Sequence, residues 1–385
     1  MELKPGTILN DMYRVKKLLG KGAMGNVYLV ERLSDKNELV VKELNFSSDS
    51  GIDQNISKEI FFREAEFMAK FDHAALPRIY GIFTQDDRDY LAMDYIKGQT
   101  LEDVINKKRK PLPLEKALKL TIQIASVLDY LHNSFSLPVV YRDLKPSNII
   151  VTSDEKVRLI DFGTTRYYNP DKVSDTFRLG SPGYAAPEQY KGRGQSTPQS
   201  DIFALGVILF QMLTKYDPTI RPFKFPSMKS LNPSIDKELT HIVTRAIELE
   251  PVKRYISAVE FKESLEKYLE KIKSSRKTLK KLKKEEFFKI DETVIIKLQN
   301  KIVDKEKLKI IKSLISKELI SKEDLVARLG KSKFDKKELG IILRCARVKS
   351  SDLSVSGTNY KLQILLIVLL FYIICVIIIL ILKYN

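Results

Sequence analysis

The chain is poor in the residues that staple or metal-load small folds. Its 385 residues include two cysteines, Cys345 and Cys375, and three histidines, His73, His132 and His241. Two cysteines exclude a disulfide framework or a cysteine-based zinc fold and suit a reducing compartment. Single, scattered histidines are not ligand sets. The start, MELKPGTILN, lacks the apolar core of a secretion signal. Basic and acidic residues nearly balance over 1–270, at 39 against 37, but not over 271–361, at 26 against 12. A near-neutral body thus precedes a strongly basic segment, and the two need separate explanations. At 44% apolar and 30% charged, the chain can bury a sizeable core.

Long apolar runs are absent until the end. Residues 362–382 read LQILLIVLLFYIICVIIILIL. The nineteen uncharged residues 364–382, at ~1.5 Å rise each, match a hydrocarbon core ~30 Å thick, so the pattern predicts a transmembrane helix. Basic residues precede it, which predicts a cytoplasmic body held by a C-terminal anchor, a single-pass membrane location. SSDLSVSGTN, 350–359, reads as a flexible joint.

Alternating apolar pairs at Tyr13/Val15, Val27/Leu29 and Leu39/Val41 predict strands, as do 78–83 and 90–96. Between them, Ile60, Phe61, Phe67, Met68 and Phe71 share one helical face. Helices are predicted at 114–132, 200–213, 236–249 and 257–272. A strand-rich start before a helical remainder predicts an α+β fold of two lobes. Within 271–350, helices are expected at 291–319, 321–329 and 335–347, and no repeat is evident.

Gly20-Lys21-Gly22-Ala23-Met24-Gly25-Asn26-Val27 leads into a strand, so its glycines read as a hairpin flap whose backbone amides can approach phosphate, or as an ordinary turn. Lys42 ends the next strand, and Glu64 lies on the following helix. YRDLKPSNIIV supplies Asp143, Lys145 and Asn148 on one loop. LIDFG brings Asp161 thirteen residues after Asn148. Asn and Asp on neighbouring loops are hard oxygen donors suited to Mg2+. GSPGYAAPE (180–188), DIFALG (201–206) and Arg254 follow.

In this order, GKGAMGNV, VVK, Glu64, YRDLKPSN, DFG, AAPE, DIFALG and Arg254 resemble the protein kinase catalytic domain over residues 10–268. DPTIRPFKFPSM (217–228) and LNPSID (231–236) look most like bacterial eukaryotic-like Ser/Thr kinases. The resemblance implies a bilobal fold, with a β-rich N-lobe at 10–96 and a helical C-lobe at 97–270. A Lys-rich, helical juxtamembrane region at 271–361 and the span 362–382 follow. It implies ATP and Mg2+ as cofactors and protein Ser/Thr hydroxyls as substrate. Asp143 would take the hydroxyl proton and Lys145 would steady the γ-phosphate. Asn148 and Asp161 would hold Mg2+, while Lys42 paired with Glu64 would grip the α/β-phosphates. The glycine loop would cover the phosphates. The hinge Met93-Asp94-Tyr95-Ile96 would bond adenine through its backbone, with Val27, Val40 and Ile150 sandwiching the ring. Glu188 and Arg254 would form a buried brace. Arg142 would await a phosphate on Thr176, delivered in trans by transient self-association.

Three residues depart from the family pattern. Tyr141 stands for the common His, Ser181 for Thr, and Val40 for Ala above the ring. None removes a catalytic group. The other open readings are a silent pseudokinase serving as a membrane-bound platform and a small-molecule phosphotransferase. AAPE disfavours the second. His132 reads as a helix C-cap, Cys345 as an ordinary helix residue, and Cys375 as lying in the bilayer. The basic segment reads as a solvated spacer, or as a surface for anionic headgroups. Too few aromatics argue against nucleic acid.

Overall fold

In the computed structural model, residues 2–346 are described apart from 23–24, 45–57, 59–60, 63–64, 67, 108, 170–179, 191–193, 285–286, 289–291, 300, 303, 315–319, 322–324, 326–328 and 330–335. The chain forms two units, Met1–Lys271 and Ile272–Asn385.

The first unit opens with a six-stranded antiparallel sheet. Its strands are β1 (Ile8–Leu9), β2 (Tyr13–Gly22), β3 (Gly25–Arg32), β4 (Glu38–Leu44), β5 (Ile79–Gln85) and β6 (Arg88–Asp94), in the order β1-β2-β3-β4-β6-β5. The two-residue period splits the side chains between faces. Leu9, Tyr13, Val15, Tyr28, Val30, Leu39, Val41, Tyr90 and Ala92 pack as one core. Val27, Val40 and Lys42 alternate with that set and belong to the opposite face. Glu43 also falls on the core side and is fully buried. It accepts from Asn26 Nδ2 (2.9 Å), Tyr28 Oη (3.0 Å) and Arg88 Nη1 (2.6 Å), which offsets its desolvation. Burial, then the Glu43 charge, pushes the Tyr90 hydroxyl up to about 12. Residues 61–62, 65–66 and 68–69 are helical, with Phe61, Ala65 and Met68 buried at i, i+4 and i+7.

The rest of the unit is mainly helical. After β7 (Gln99–Thr100) come α1 (Leu101–Asn106) and α2 (Leu114–Asn133). Short strands β8 (Val139–Val140), β9 (Ile149–Val151), β10 (Val157–Leu159) and β11 (Arg166–Tyr167) follow, pairing as β10-β9-β7 and β11-β8. Then come α3 (Pro198–Thr214), α4 (Met228–Leu231), α5 (Lys237–Ala246) and α6 (Ala258–Lys284). Pro198 at the first turn and Ser200 Oγ accepting from Thr197 N–H (3.0 Å) start α3. Nearly every α3 side chain is buried, so it is the axis of this lobe. A Cβ at Gly206 would lie 2.7 Å from Ala246 Cβ, so glycine sets how closely α3 approaches α5. Helix α6 continues twelve residues past its predicted end.

The second unit corrects the solvated-spacer reading. Strands β12 (Phe287–Phe288) and β13 (Ile320–Ser321) pair antiparallel, and α7 (Glu292–Gln299), α8 (Lys305–Ser313) and α9 (Lys336–Ala346) are helical. Val294, Ile295, Leu298, Ile302, Ile311, Leu325, Leu329, Ile342 and Ala346 form one buried core. The single helix expected over 291–319 is broken, because Asp304 accepts from the amides of Glu306 (2.9 Å) and Lys307 (3.3 Å) and starts a new helix.

This core also exposes a repeat that contradicts the expectation of none. Residues 291–314 align with 322–345 at an offset of thirty-one, with DKEKLKII (304–311) matching DKKELGII (335–342). Core positions coincide: Val294 with Leu325, Leu298 with Leu329, Ile311 with Ile342. The two stretches are thus a sequence duplication whose copies share core positions.

Among the described residues no helix is long and apolar enough to cross a membrane. The predicted span 362–382, Cys375 within it, and the joint 350–359 lie outside the described residues.

Candidate active site

The site is built outward from the first turn of α3. Asp201 Oδ1 accepts from Arg142 N–H (2.8 Å) and Oδ2 from Tyr141 N–H (2.9 Å). His132 Nε2–H donates to the same Oδ2 (2.9 Å), since a carboxylate offers only acceptors. His132 is therefore not the predicted helix cap; it binds a residue sixty-nine positions away. Arg142 has φ +77°, a left-handed conformation costly for a side chain that large. Asp201 below and Gln189, whose Nε2 donates to the Arg142 carbonyl (2.7 Å), hold it there. Tyr141, in place of the usual His, is fully buried. Its hydroxyl donates to the Ile160 carbonyl and its ring packs edge-on against Phe162.

That backbone presents Asp143, Lys145 and Asn148. Ser181 Oγ donates to Asp143 Oδ1 (2.7 Å) and accepts from Lys145 Nζ (2.9 Å). Lys145 Nζ lies 2.9 Å from Asp143 Oδ2. Asn148 Nδ2 donates to the Asp143 carbonyl (3.0 Å) and to Oδ2 (3.2 Å). Serine, standing for the usual Thr, thus keeps a hydroxyl bonded to both Asp143 and Lys145. The Ile160 amide donates to the Asn148 carbonyl (3.0 Å), joining this loop to the one bearing Asp161.

Asp161 has φ +69° and about half its side-chain area open. The Lys42 ammonium at 3.5 Å holds its carboxyl below the ordinary range, aided by Gly163 N–H and Lys145, while burial opposes. An ionised Asp161 and the amide oxygen of Asn148, on bonded loops, form an oxygen donor set suited to Mg2+. Glu64, the predicted partner of Lys42, lies outside the described residues.

The remaining predicted residues lie on the sheet and on the segment that follows it. Gly20 pairs with Val27, Lys21 with Asn26 and Gly22 with Gly25, whose φ is +147°; Ala23 and Met24 lie outside the described residues. Val27 also pairs with Lys42 and Val40 with Met93, placing the glycine hairpin and the Lys42 strand beside the hinge strand. Asp94 ends β6, and its carboxylate accepts from Arg78 N–H and Tyr80 Oη, both at 2.9 Å, so its side chain braces the sheet. Ile96 follows, half-buried. Ile150 lies under Gly98, where a Cβ would come within 2.5 Å of Ile150 Cγ2 and 2.6 Å of the Val151 carbonyl. The backbone can pass this close only without a side chain.

Glu188 and Arg254 form the implied buried brace. Arg254 Nη1 and Nη2 donate to Glu188 Oε1 (2.7 Å) and Oε2 (2.9 Å), and its other donors reach the carbonyls of Gln199, Glu248 and Leu249. Thr176 lies outside the described residues, and Arg142 is buried. Sequence reasoning assigned no role to Asp201 or Gln189 and read His132 only as a helix cap. Asp201 stood in a quoted motif, and its place in a helix first turn was the available signal.

Comparison with known proteins agrees with this geometry. The family model described as protein kinase domain matches residues 13–288. The chain is 32% identical over 265 residues to serine/threonine-protein kinase PrkC of Bacillus subtilis, covering 66% of this chain and 40% of that protein. It is 33% identical over 270 residues to a probable serine/threonine-protein kinase, PknB, of Lactococcus lactis, covering 66% and 42%. It therefore matches less than half the length of these relatives. A crystal structure of the PknI kinase domain of Mycobacterium tuberculosis superposes with a TM-score of 0.56 at 25% identity, covering 70% of this chain and all of that one. Two lobes, the Asp143–Ser181–Lys145 arrangement and a family match over most of its length together show that this chain belongs to the protein kinase family.

Proposed function

We propose that the chain is an ATP-dependent Ser/Thr protein kinase. The observation that carries this reading is the closed set of Asp143, Ser181 and Lys145, together with Lys42 Nζ 3.5 Å from Asp161 Oδ1. Asp143 takes the proton of a substrate Ser or Thr hydroxyl as its oxygen forms a bond to the γ-phosphorus. The bond to the β–γ bridging oxygen breaks, and ADP leaves. Lys145 sits beside Asp143, where its charge offsets the negative charge of the phosphoryl oxygens. Lys42 grips the inner phosphates, and the Gly20–Gly25 hairpin offers amide donors over them. Val27, Val40 and Ile150 enclose adenine, with backbone bonds from Asp94 and Ile96. Asn148 and Asp161 would hold Mg2+, which when bound neutralises phosphate charge.

We further read residues 362–382 as a membrane span with the kinase unit on the cytoplasmic side. The support is nineteen consecutive uncharged residues and the basic flank before them. A phosphate on Thr176, added in trans between neighbouring copies, would pair with Arg142 and order the activation segment.

Incubating the purified chain with labelled ATP and Mg2+ tests the activity. Asp143→Asn, Asp161→Asn and Lys42→Ala should each cut phosphotransfer about 100-fold or more with the fold retained. Undiminished turnover in all three would refute the kinase reading.

A further inference from the structure

The two copies of the repeat share core positions, and the first copy carries a row of exposed lysines. In α8, Lys305, Lys309 and Lys312 stand at i, i+4 and i+7, along one side of the helix. Lys301 lies earlier, in the turn that closes α7, where its amide donates to the Leu298 carbonyl (2.9 Å). All four are exposed. Ile311 is buried on the opposite side, flanked by Leu308, Ile310 and Leu314. Among the described residues none of the four lysines has an acidic partner; the ion pair of α8 uses Lys307 instead. The equivalent positions of the second copy are Ser332, Lys336, Gly340 and Leu343. Leu343 packs against the core, whereas Lys312 is exposed, so the full lysine row belongs to the first copy alone.

Like charges three and four residues apart repel each other slightly in water, and a polyanionic surface relieves that repulsion. The chain itself indicates which anion. Seventeen residues, 347–363, separate α9 from the uncharged run. Fully extended they reach at most about 60 Å, and as a flexible coil about 20–25 Å. If that run spans a bilayer, this unit cannot leave the neighbourhood of the headgroups, and the lysines face lipid at high effective concentration. Arg347, Lys349 and Lys361 add charge of the same sign along the tether.

We propose that the outward face of α8, with Lys301, Lys305, Lys309 and Lys312, docks on anionic lipid headgroups. The repeat unit is then a folded foot that lies on the membrane. The proposal rests on the membrane-span reading above, and it adds the surface and the chemistry of the lipid.

The test uses the full chain in nanodiscs of phosphatidylcholine alone or mixed with phosphatidylserine. Lysines are acylated, and the modified peptides are followed by mass spectrometry, with Lys253 of the kinase unit as reference. The four lysines should react at least about tenfold more slowly in the anionic discs. High salt should abolish the difference, because exposed charges are screened within ~3 Å at 1 M. With Lys305, Lys309 and Lys312 all changed to Gln, Lys301 should react at the neutral-disc rate in both lipids. Equal reactivity in both lipids, in chains that co-elute with the discs, overturns the docking face. Protection by duplex DNA in neutral discs, with none from anionic discs, overturns it in favour of a nucleic acid. Chains that co-elute with neither disc contradict the span, and with it the tether on which the proposal stands.

Discussion

Lys307 and Glu338 occupy the same position in the two copies of the repeat, and they bind each other, with Lys307 Nζ 2.9 and 2.8 Å from the two carboxylate oxygens. Equivalent residues that touch lie at the junction of the copies. Identical copies would set like charges against each other there, and the sequence instead holds one of each sign. Lys307→Glu should therefore lower the stability of the unit by about 1–2 kcal/mol, since both partners are largely shielded from water. Lys307→Glu combined with Glu338→Lys should restore most of it. Amide hydrogen exchange of Ile311 and Ile342 reads both, and unchanged exchange in the single variant would contradict the pairing.

Ser181 links the base to the lysine that balances it. Ser181→Ala removes a hydrogen bond to a charged group, worth about 1.5–3 kcal/mol, which corresponds to a loss of roughly 10- to 100-fold in kcat. Ser181→Thr keeps the hydroxyl and should retain activity. Steady-state kinetics on a peptide distinguishes the two, and an alanine variant as fast as the parent would remove Ser181 from the site.

Arg254 is sealed in the helical lobe with all its donors engaged. Arg254→Met leaves Glu188 buried without its counter-ion, although Ser200 Oγ still donates to it. The expected cost is about 3–5 kcal/mol, read as a lower urea midpoint. A midpoint unchanged from the parent would show that the lobe does not depend on this pair.

His73 gives the fold a dependence on pH. Burial, then the Arg158 charge, lowers its pKa, and its Nδ1 accepts from Ala75 N–H (3.1 Å), which requires the neutral ring. The unfolded chain therefore binds more protons than the folded one below pH ~6.5, and stability falls as pH drops from there until the folded ring also protonates. His73→Gln should flatten that part of the curve in denaturant titrations, and a parent-like slope in the variant would assign the effect elsewhere.

Much of this was visible along the chain because it is local. Period-two alternation reveals the sheet, since neighbouring side chains must face opposite ways. The catalytic loop shows itself because its groups lie within six residues. What stayed hidden depends on partners far away in sequence. His132 reads as a cap until α3 brings Asp201 beside it. Glu43 drew no reading from the sequence, and only the fold shows Asn26, Tyr28 and Arg88 surrounding it. The repeat escaped notice for a different reason. Its two copies conserve apolar character more than identity, and lysines between the matches make 291–319 look like one long helix until Asp304 interrupts it.

The family match begins at Tyr13, yet the lobe begins earlier. Leu9 is buried, Leu3 packs on the same core and its amide donates to Tyr28 Oη (3.1 Å), and Gly6 and Thr7 bond across to Val15. The opening dozen residues act as a lid for the back of the sheet. A chain shortened to the family boundary would present Tyr13, Tyr28 and the sealed carboxylate of Glu43 to water. It would expose a greasy surface prone to sticking, and poor yield from such a fragment would reflect the missing lid and not a defect in the catalytic groups.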